Sequence, residues 1–370
     1  MKGRKDNFFM ARALELAQQG RGLVSPNPMV GAILVKEGQI IAEGFHRYAE
    51  KKHAEVLAIE AAGDNARGST LYINLEPCSH YGRTPPCLQR LIEAGIVQVI
   101  AAMEDPNPQV SGDGFRRLKE AGIDLKVGVG KEEASQLNEA YSAYIRLRKP
   151  WVILKTAMTL DGKIAESNGH SQWISSELSR ARAQQLRFDC DALLTGIGTV
   201  LRDDPILTDR TGQTRRRPLL RCVLDSHLRL PLASRLVQSR KDGGIIAFCL
   251  PERDPVRQSL LEKEGIEVSS VPKKEERLSF DSILEELGRR EITSLLIEAG
   301  PTINFLAFQQ RVVDKVCCFI APKILGGVRP LPFLGEPGFI NLEGGVKLKF
   351  SLIEQVGPDI LIEAYVYWDH

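Results

Sequence analysis

The chain has 370 residues, more than one hydrophobic core usually organises, so two domains of ordinary size are expected. With 43% hydrophobic and 26% charged residues it is globular rather than disordered, collagen-like or coiled-coil, and a net charge of +2 gives no general electrostatic reason to bind nucleic acid or an anionic membrane. An anionic substrate therefore has to be held by local groups. The N-terminus is polar and then amphipathic, and no apolar run approaches the roughly 20 residues that span a bilayer, which reads as a cytoplasmic protein. The seven cysteines are odd in number and irregularly spaced, as fits a reducing compartment. Of these, Cys190, Cys222, Cys249, Cys317 and Cys318 lie in or beside apolar runs and read as small buried hydrophobes.

Met10, Leu14 and Ala17 recur at helical spacing up to Gly20, and β-rich runs from Val30 to Val35 and Ile40 to Phe45 flank a turn at Gly38. A second helix is predicted from His53 to Gly63, a strand from Thr70 to Leu75, and a third helix opening at Pro85 and Pro86 and closing at Gly95. Strand Val97 to Ala102, helix Gly112 to Ala121 and strand Leu125 to Val129 follow, an alternation that argues for a layered α/β domain. A polar helical stretch from Lys131 to Arg148 ends at Pro150, and a strand from Trp151 to Ala157 starts at once. The domain boundary is placed there, giving residues 1–149 and 150–370. The second part alternates again, with strands near Leu193, Leu219 to Leu224, Ile245 to Cys249, Leu295 to Ile297 and Val316 to Ile320. The charged runs Arg215 to Arg217 and Lys273 to Arg277 read as solvated loops.

His53, Ala54 and Glu55 open a helix, Cys78 follows a strand, and Cys87 falls in the first turn of the next helix. One histidine and two cysteines make three corners of a tetrahedral zinc site whose fourth position stays open for water, the pattern of a catalytic site with one zinc per chain. A helix N-terminus favours the thiolate of Cys87, and zinc would lower the pKa of its water towards about 7. Glu55, two residues past His53, points elsewhere than the ligand and can shuttle a proton from that water to the ring nitrogen and the departing amine. The run H-A-E, then P-C and a later C, is the zinc-deaminase pattern, with eight residues between the cysteines here in place of about two.

The segment P-C-S-H-Y-G-R-T-P-P-C, Pro77 to Cys87, closely resembles the deaminase half of the bifunctional riboflavin biosynthesis enzymes. The resemblance implies a cytidine-deaminase-like domain in which His80 and Arg83 face the substrate, Arg83 as a partner for its phosphate. S-P-N-P-M-V-G, Ser25 to Gly31, also matches and implies that Asn27 contacts the pyrimidine, although Ser-Pro-Asn-Pro read alone is only a turn. The loop E-D-P-N-P, Glu104 to Pro108, follows the end of a strand and makes Asp105 and Asn107 substrate candidates.

Beyond residue 150 no Gly-x-Gly-x-x-Gly follows the first strand, so the second part is not an obvious Rossmann domain. K-T-A-M-T-L-D-G-K (Lys155 to Lys163), S-Q-W-I-S (Ser171 to Ser175), L-L-T-G-I-G-T-V-L-R-D-D-P (Leu193 to Pro205), E-A-G-P-T (Glu298 to Thr302) and A-P-K-I-L-G-G (Ala321 to Gly327) resemble the reductase half of the same enzymes. Together the two sets cover nearly the whole chain in order. The resemblance implies a dihydrofolate-reductase-like fold and NADPH, with cofactor contacts at Ala157, Trp173, Thr199, Asp203, Ser226, Gly300, Pro301 and Thr302. It places the sugar phosphate near Ser171, Arg187, Leu207 and Arg210, and the ribose near Lys155 and Glu298. Gly300 to Thr302, between a strand and an apolar helix, suit a phosphate on backbone donors, and Gly196 and Gly198 would allow close backbone approach. Two arginines and a hydroxyl suit a phosphate monoester.

The activity implied is zinc-dependent hydrolytic deamination of 2,5-diamino-6-ribosylamino-4(3H)-pyrimidinone 5′-phosphate, followed by NADPH-dependent reduction of the ribosyl group to ribityl, in a homo-oligomer. A nucleic-acid deaminase would use the same zinc chemistry on a flipped base, but the near-neutral charge and the reductase-like half argue against it. A non-catalytic scaffold is disfavoured by intact His53, Glu55, Cys78 and Cys87.

Overall fold

The structure, a computed structural model, describes residues 2–79, 87–108, 110–167, 169 and 172–368. It divides into two compact units, residues 1–148 with 214–216, and residues 149–213 with 217–370.

In the first unit the elements run α1 (Lys2–Gln18), β1 (Gly31–Lys36), β2 (Gln39–Phe45), α2 (Ala54–Ala62), β3 (Thr70–Ile73), α3 (Cys87–Glu93), β4 (Gln98–Ala101), α4 (Asp113–Glu120), β5 (Asp124–Val127), α5 (Lys131–Leu137) and α6 (Glu139–Leu147). Among the described residues the strands form one sheet in the order β2-β1-β3-β4-β5, antiparallel around β1 and parallel from β3 to β5. Period-two alternation divides its side chains between two cores. Ala32, Leu34, Leu71, Ile73 and Val99 pack under α2, α3 and α4, while Ile33, Val35, Tyr72 and Ile100 pack under α1 and α5. The single helix read from Lys131 to Arg148 is two, because Asn138 interrupts it. The Asn138 amide accepts from Met29 N at 2.8 Å and donates to Met29 O at 3.0 Å, a pairing to a remote segment that sequence periodicity does not contain.

The second unit runs β6 (Trp151–Thr159), β7 (Lys163–Ala165), α7 (Glu177–Asp189), β8 (Ala192–Gly196), α8 (Ile197–Asp203), β9 (Leu220–Leu224), α9 (Arg235–Gln238), β10 (Ile245–Cys249), α10 (Pro255–Lys263), β11 (Glu267–Ser270), β12 (Lys273–Lys274), β13 (Arg277–Leu278), α11 (Phe280–Arg289), β14 (Ser294–Ile297), α12 (Pro301–Gln309), β15 (Lys315–Ala321), β16 (Leu331–Pro332), β17 (Lys347–Val356) and β18 (Asp359–Tyr367). Among the described residues nine strands make one sheet, β11-β10-β9-β8-β14-β6-β15-β18-β17, parallel except for the terminal hairpin of β17 and β18. Both faces are covered, one by α11 and α12 and the other by α7, α8, α9 and α10, so the inner strands read as near-continuous apolar runs. Helix starts are set by side-chain caps: Ser176 accepts from Ser179 N, Asp254 from Val256 N and Ser279 from Ser282 N.

Two charged stretches read as solvated loops are more ordered than that. Lys273 to Arg277 folds into the β12/β13 hairpin, with Glu275 and Glu276 at φ 51° and 58° in its turn. Arg217 pairs with Asp191 at 3.2 Å and donates to the Glu291 carbonyl. Cys190, Cys222, Cys249, Cys317 and Cys318 are buried and unbridged, as small core side chains. No helix among the described residues is long and apolar enough to cross a membrane.

Candidate deaminase centre and reductase cavity

Three element ends bring the first set of residues together. α2 is alanine-rich and begins at Ala54, leaving His53 as its extended N-cap, φ −83° and ψ 159°. Gly44 on β2 lets that helix lie close: a Cβ there would sit 2.4 Å from the Ala54 carbonyl oxygen, so any larger residue would push His53 outward. Cys78 follows the run after β3, and Cys87 is the first residue of α3; Pro85 and Pro86, read as its opening, lie outside the described residues. His53 Nδ1 is 2.8 Å from Cys87 Sγ and 3.4 Å from Cys78 Sγ, and the two sulfurs are 3.3 Å apart.

The α3 N-terminus serves the other cysteine from the one the sequence suggested. The Cys87 backbone N–H donates to Cys78 Sγ at 3.3 Å, and the Cys78 thiol is held well below its ordinary range, first by its contact with Cys87 and then by His53. Glu55 is buried in the first turn of α2, and its Oε2 has no hydrogen-bond partner. Burial pushes its carboxyl up. One imidazole and two thiols with donor atoms within 4.8 Å of one another, beside a carboxyl oxygen without a hydrogen-bond partner, are a donor set that fits zinc with an open fourth position.

Around this centre, Asn27 Nδ2 lies 3.0 Å from His46 Nε2, while His46 Nδ1 lies 2.9 Å from the Lys52 carbonyl oxygen. Nδ1 must donate to that carbonyl, and burial pushes the His46 pKa down, so a neutral ring accepts from Asn27 and fixes which way its amide faces. The His46 ring also stands edge-on to His53, centroids 5.6 Å apart. Asp105 Oδ1 accepts from Asn107 N at 2.9 Å and from the Tyr141 hydroxyl at 3.2 Å, so the loop carrying both predicted substrate residues is braced by α6. His80 and Arg83 lie outside the described residues.

Sequence reasoning missed the residue that ties this loop to the metal donors. The buried Glu76 carboxylate accepts backbone N–H groups from Asp105 at 3.1 Å, Gly112 at 3.0 Å and Phe115 at 3.2 Å, two residues before Cys78. Its partners are backbone groups, which leave no mark on side-chain pattern. Asn74 was missed for the same reason; it accepts from Gly31 N and donates to the Met29 carbonyl.

The second unit holds a cavity of about 520 Å³, into which the C-terminal ends of β8 and β14 open. Lys155, Ala157, Trp173, Arg187, Thr199, Asp203, Leu207, Arg210, Glu298, Gly300 and Pro301 line it. Ser226 and Thr302 are not among the lining residues, and Ser171 lies outside the described ones. Arg187 is engaged already: Nε and Nη2 grip the Glu298 carboxylate bidentately, both at 2.8 Å, and Nη1 donates to the Thr208 carbonyl at 3.0 Å. Burial would raise the Glu298 pKa, but Arg187 first and then Lys155 and Arg210 hold it down to about 2. Leu207, non-glycine at φ 63°, carries the strained backbone of the loop after α8, three residues before Arg210. Gly196 serves packing rather than ligand approach, since a Cβ there would meet Ile303 Cγ1 at 2.8 Å; Gly198 and Gly300 face open space.

Residues 3–103 match the cytidine and deoxycytidylate deaminase zinc-binding region, and residues 150–362 match the RibD C-terminal domain. The riboflavin biosynthesis protein RibD of Escherichia coli (strain K12) is 41% identical over 97% of this chain and 98% of its own length. That of Actinobacillus pleuropneumoniae is 40% identical over 98% and 95%. The Thermotoga maritima diaminohydroxyphosphoribosylaminopyrimidine deaminase/5-amino-6-(5-phosphoribosylamino)uracil reductase superposes with a TM-score of 0.85 at 36% identity, over 99% of this chain and all of that one. Acinetobacter baumannii RibD, form 2, also gives 0.85, at 32% identity and the same coverage. With a cytidine-deaminase-like unit bearing a zinc donor set and a dihydrofolate-reductase-like unit that takes NADPH, the chain belongs to the RibD family, the bifunctional deaminase/reductases of riboflavin biosynthesis.

Proposed function

We propose that residues 1–149 deaminate 2,5-diamino-6-ribosylamino-4(3H)-pyrimidinone 5′-phosphate and that residues 150–370 then reduce its ribosyl group to ribityl, in a cytoplasmic homo-oligomer. The observation that carries the first step is the convergence of His53, Cys78 and Cys87 beside the unpartnered Glu55 oxygen. Zinc on these donors supplies Lewis acidity that makes water nucleophilic near neutral pH, and NADPH supplies the two-electron reduction. Glu55 takes the proton of the attacking water and passes it to the ring nitrogen and the leaving ammonia. Asn27, turned by His46, and the Asp105–Asn107 loop hold the pyrimidine, and the resemblance adds His80 and Arg83 as substrate residues, Arg83 for the phosphate.

In the reductase, Arg210 and Ser171 take the phosphate, with Arg187 and Leu207 shaping that end of the cavity and Lys155 and Glu298 at the ribose. Arg187 acts largely through Glu298, whose ionised form its bidentate grip maintains. Ala157, Trp173, Thr199, Asp203, Ser226 and the turn Gly300-Pro301-Thr302 form the NADPH side. The test is incubation with the diaminopyrimidine phosphate, with and without NADPH, followed by product mass. Exchange of an amino group for oxygen without NADPH, and addition of two hydrogens only with it, is the expected result. Reduction without prior deamination, or neither change, would overturn the reading.

A further inference from the structure

The loop that brings Leu207 and Arg210 to the reductase cavity is held in an unfavourable shape. Asp204 and Leu207, neither of them glycine, stand at φ 40° and 63°, a left-handed backbone that persists only where its surroundings over-determine it. Four contacts do so, one at every second residue. The Arg235 backbone N–H donates to Asp204 Oδ1 at 2.8 Å and Arg221 Nη1 to the Ile206 carbonyl at 3.2 Å. Arg187 Nη1 donates to the Thr208 carbonyl at 3.0 Å, and the Arg210 backbone N–H to Gln184 Oε1, also at 3.0 Å. Arg187 lines the cavity itself, whereas Arg221 does not and acts on the loop from behind.

Arg221 is out of place in its strand. It lies on β9, an inner strand of the sheet, and its register partners Leu193 and Ile245 are both apolar core residues on the side covered by α7 to α10. An apolar side chain would fill that position without desolvating a charge, yet a wholly buried guanidinium occupies it. Among the described residues it forms no ion pair, and its Nε has no hydrogen-bond partner. Besides Ile206, Nη1 donates to Ser239 Oγ at 2.7 Å, and Nη2 donates to the Ser239 carbonyl at 2.9 Å and to the Gly243 carbonyl. Ser239 is the C-cap of α9, whose first residue is Arg235. The loop is therefore stapled to both ends of α9, to one directly and to the other through Arg221.

We propose that Arg221 is a positioning residue of the reductase, fixing the backbone of residues 204–210 from inside the sheet so that Leu207 and the Arg210 guanidinium meet the sugar phosphate. Freed at Ile206, the left-handed turn at Leu207 would relax and carry Arg210 away from the cavity. A loop already in its binding shape spares the ordering cost that substrate would otherwise have to meet. The inference rests on the reading that Arg210 takes the phosphate, and it adds what keeps that group in place.

The test is steady-state reductase kinetics of the full-length chain on the deaminated, phosphorylated substrate, for Arg221→Met, Arg210→Ala and the double variant. Methionine fills the core position but donates nothing to Ile206. Arg221→Met should raise the substrate KM about tenfold and shift the NADPH KM by less than about twofold. Beside Arg210→Ala the same substitution should add less than about twofold, because a displaced loop then has no guanidinium to misplace. Arg221→Lys, a point charge that cannot span Ile206, Ser239 and Gly243 together, should raise the KM by less, and it replaces Arg221→Met in the cycle if that variant does not fold. An unchanged substrate KM, a rise that persists in full beside Arg210→Ala, or an equal rise in the NADPH KM would overturn the positioning role while Arg210→Ala still shows its own effect. If Arg210→Ala alone leaves the substrate KM unchanged, the phosphate reading falls and this inference with it.

Discussion

The two sites are built on opposite plans. In the first unit the zinc donor set and Glu55 fall within residues 53–87, on short stretches at the starts of α2 and α3 and after β3. In the second unit the cavity draws on β6, α7, α8 and the loop after it, the turn after β14 and the start of α12, and its charges partly neutralise one another before any ligand arrives. Chemistry concentrated on single side chains is brittle to substitution. Recognition spread over a preformed charge network degrades in steps.

The sharpest way to break this contrast is Glu55→Gln. It should retain zinc and lose roughly a hundredfold to ten-thousandfold in deaminase kcat while leaving reductase turnover intact. Cys87→Ala should lose the metal as well, read by metal analysis. Near-normal deamination by Glu55→Gln would remove the brittleness argument.

Arg187→Ala and Arg210→Ala should separate two kinds of loss within the network. Arg210→Ala should raise the reductase KM for its phosphorylated substrate about tenfold to a hundredfold, with only a small loss of thermal stability from its weaker hold on Glu298. Arg187→Ala also leaves the Glu298 carboxylate without its bidentate partner, so it should lower kcat too and destabilise the unit by about 3–5 kcal/mol. Equal effects of the two on stability would show that the ion pair has no special weight.

The same pair predicts a pH dependence. Glu298 is held at about 2, below its ordinary 4.5, so its contribution to stability is complete above about 4.5 and is lost as pH falls through about 2. Thermal denaturation between those limits should fall more steeply for wild type than for Glu298→Gln. Parallel slopes would contradict the coupling. The smallest effect is expected for Ser226→Ala, under about fivefold in NADPH KM, because the residue is outside the cavity lining and a single neutral hydrogen bond is worth about 1 kcal/mol. A larger change would extend the cofactor site past the present cavity.

The deaminase centre was legible because its chemistry is carried by rare side chains at characteristic element ends, and the alternating α/β order was legible from apolar runs. Residues that act on backbone groups were not. Glu76 reads as an ordinary glutamate before Pro77, yet it gathers three N–H groups of the 105–115 segment. His46 shows no motif until its neighbour Asn27 is seen. The resemblance placed Arg187 at the sugar phosphate, but its bidentate grip on Glu298, 111 residues away, leaves no mark on the sequence pattern. β17 and β18 escaped notice because Lys347 to Val356 is largely exposed and its bulge spoils strict alternation.

Asn138 gives the first unit an order of assembly. The metal donors end at Cys87, while the amide that pins Met29, and with it the approach to Asn27, lies at 138, and the Tyr141 hydroxyl that braces Asp105 follows. During vectorial synthesis the three donors therefore leave the ribosome about fifty residues ahead of the groups that shape the pocket. Metal capture can precede closure of the substrate loop, so a nascent chain can be loaded while its centre is still open on one side.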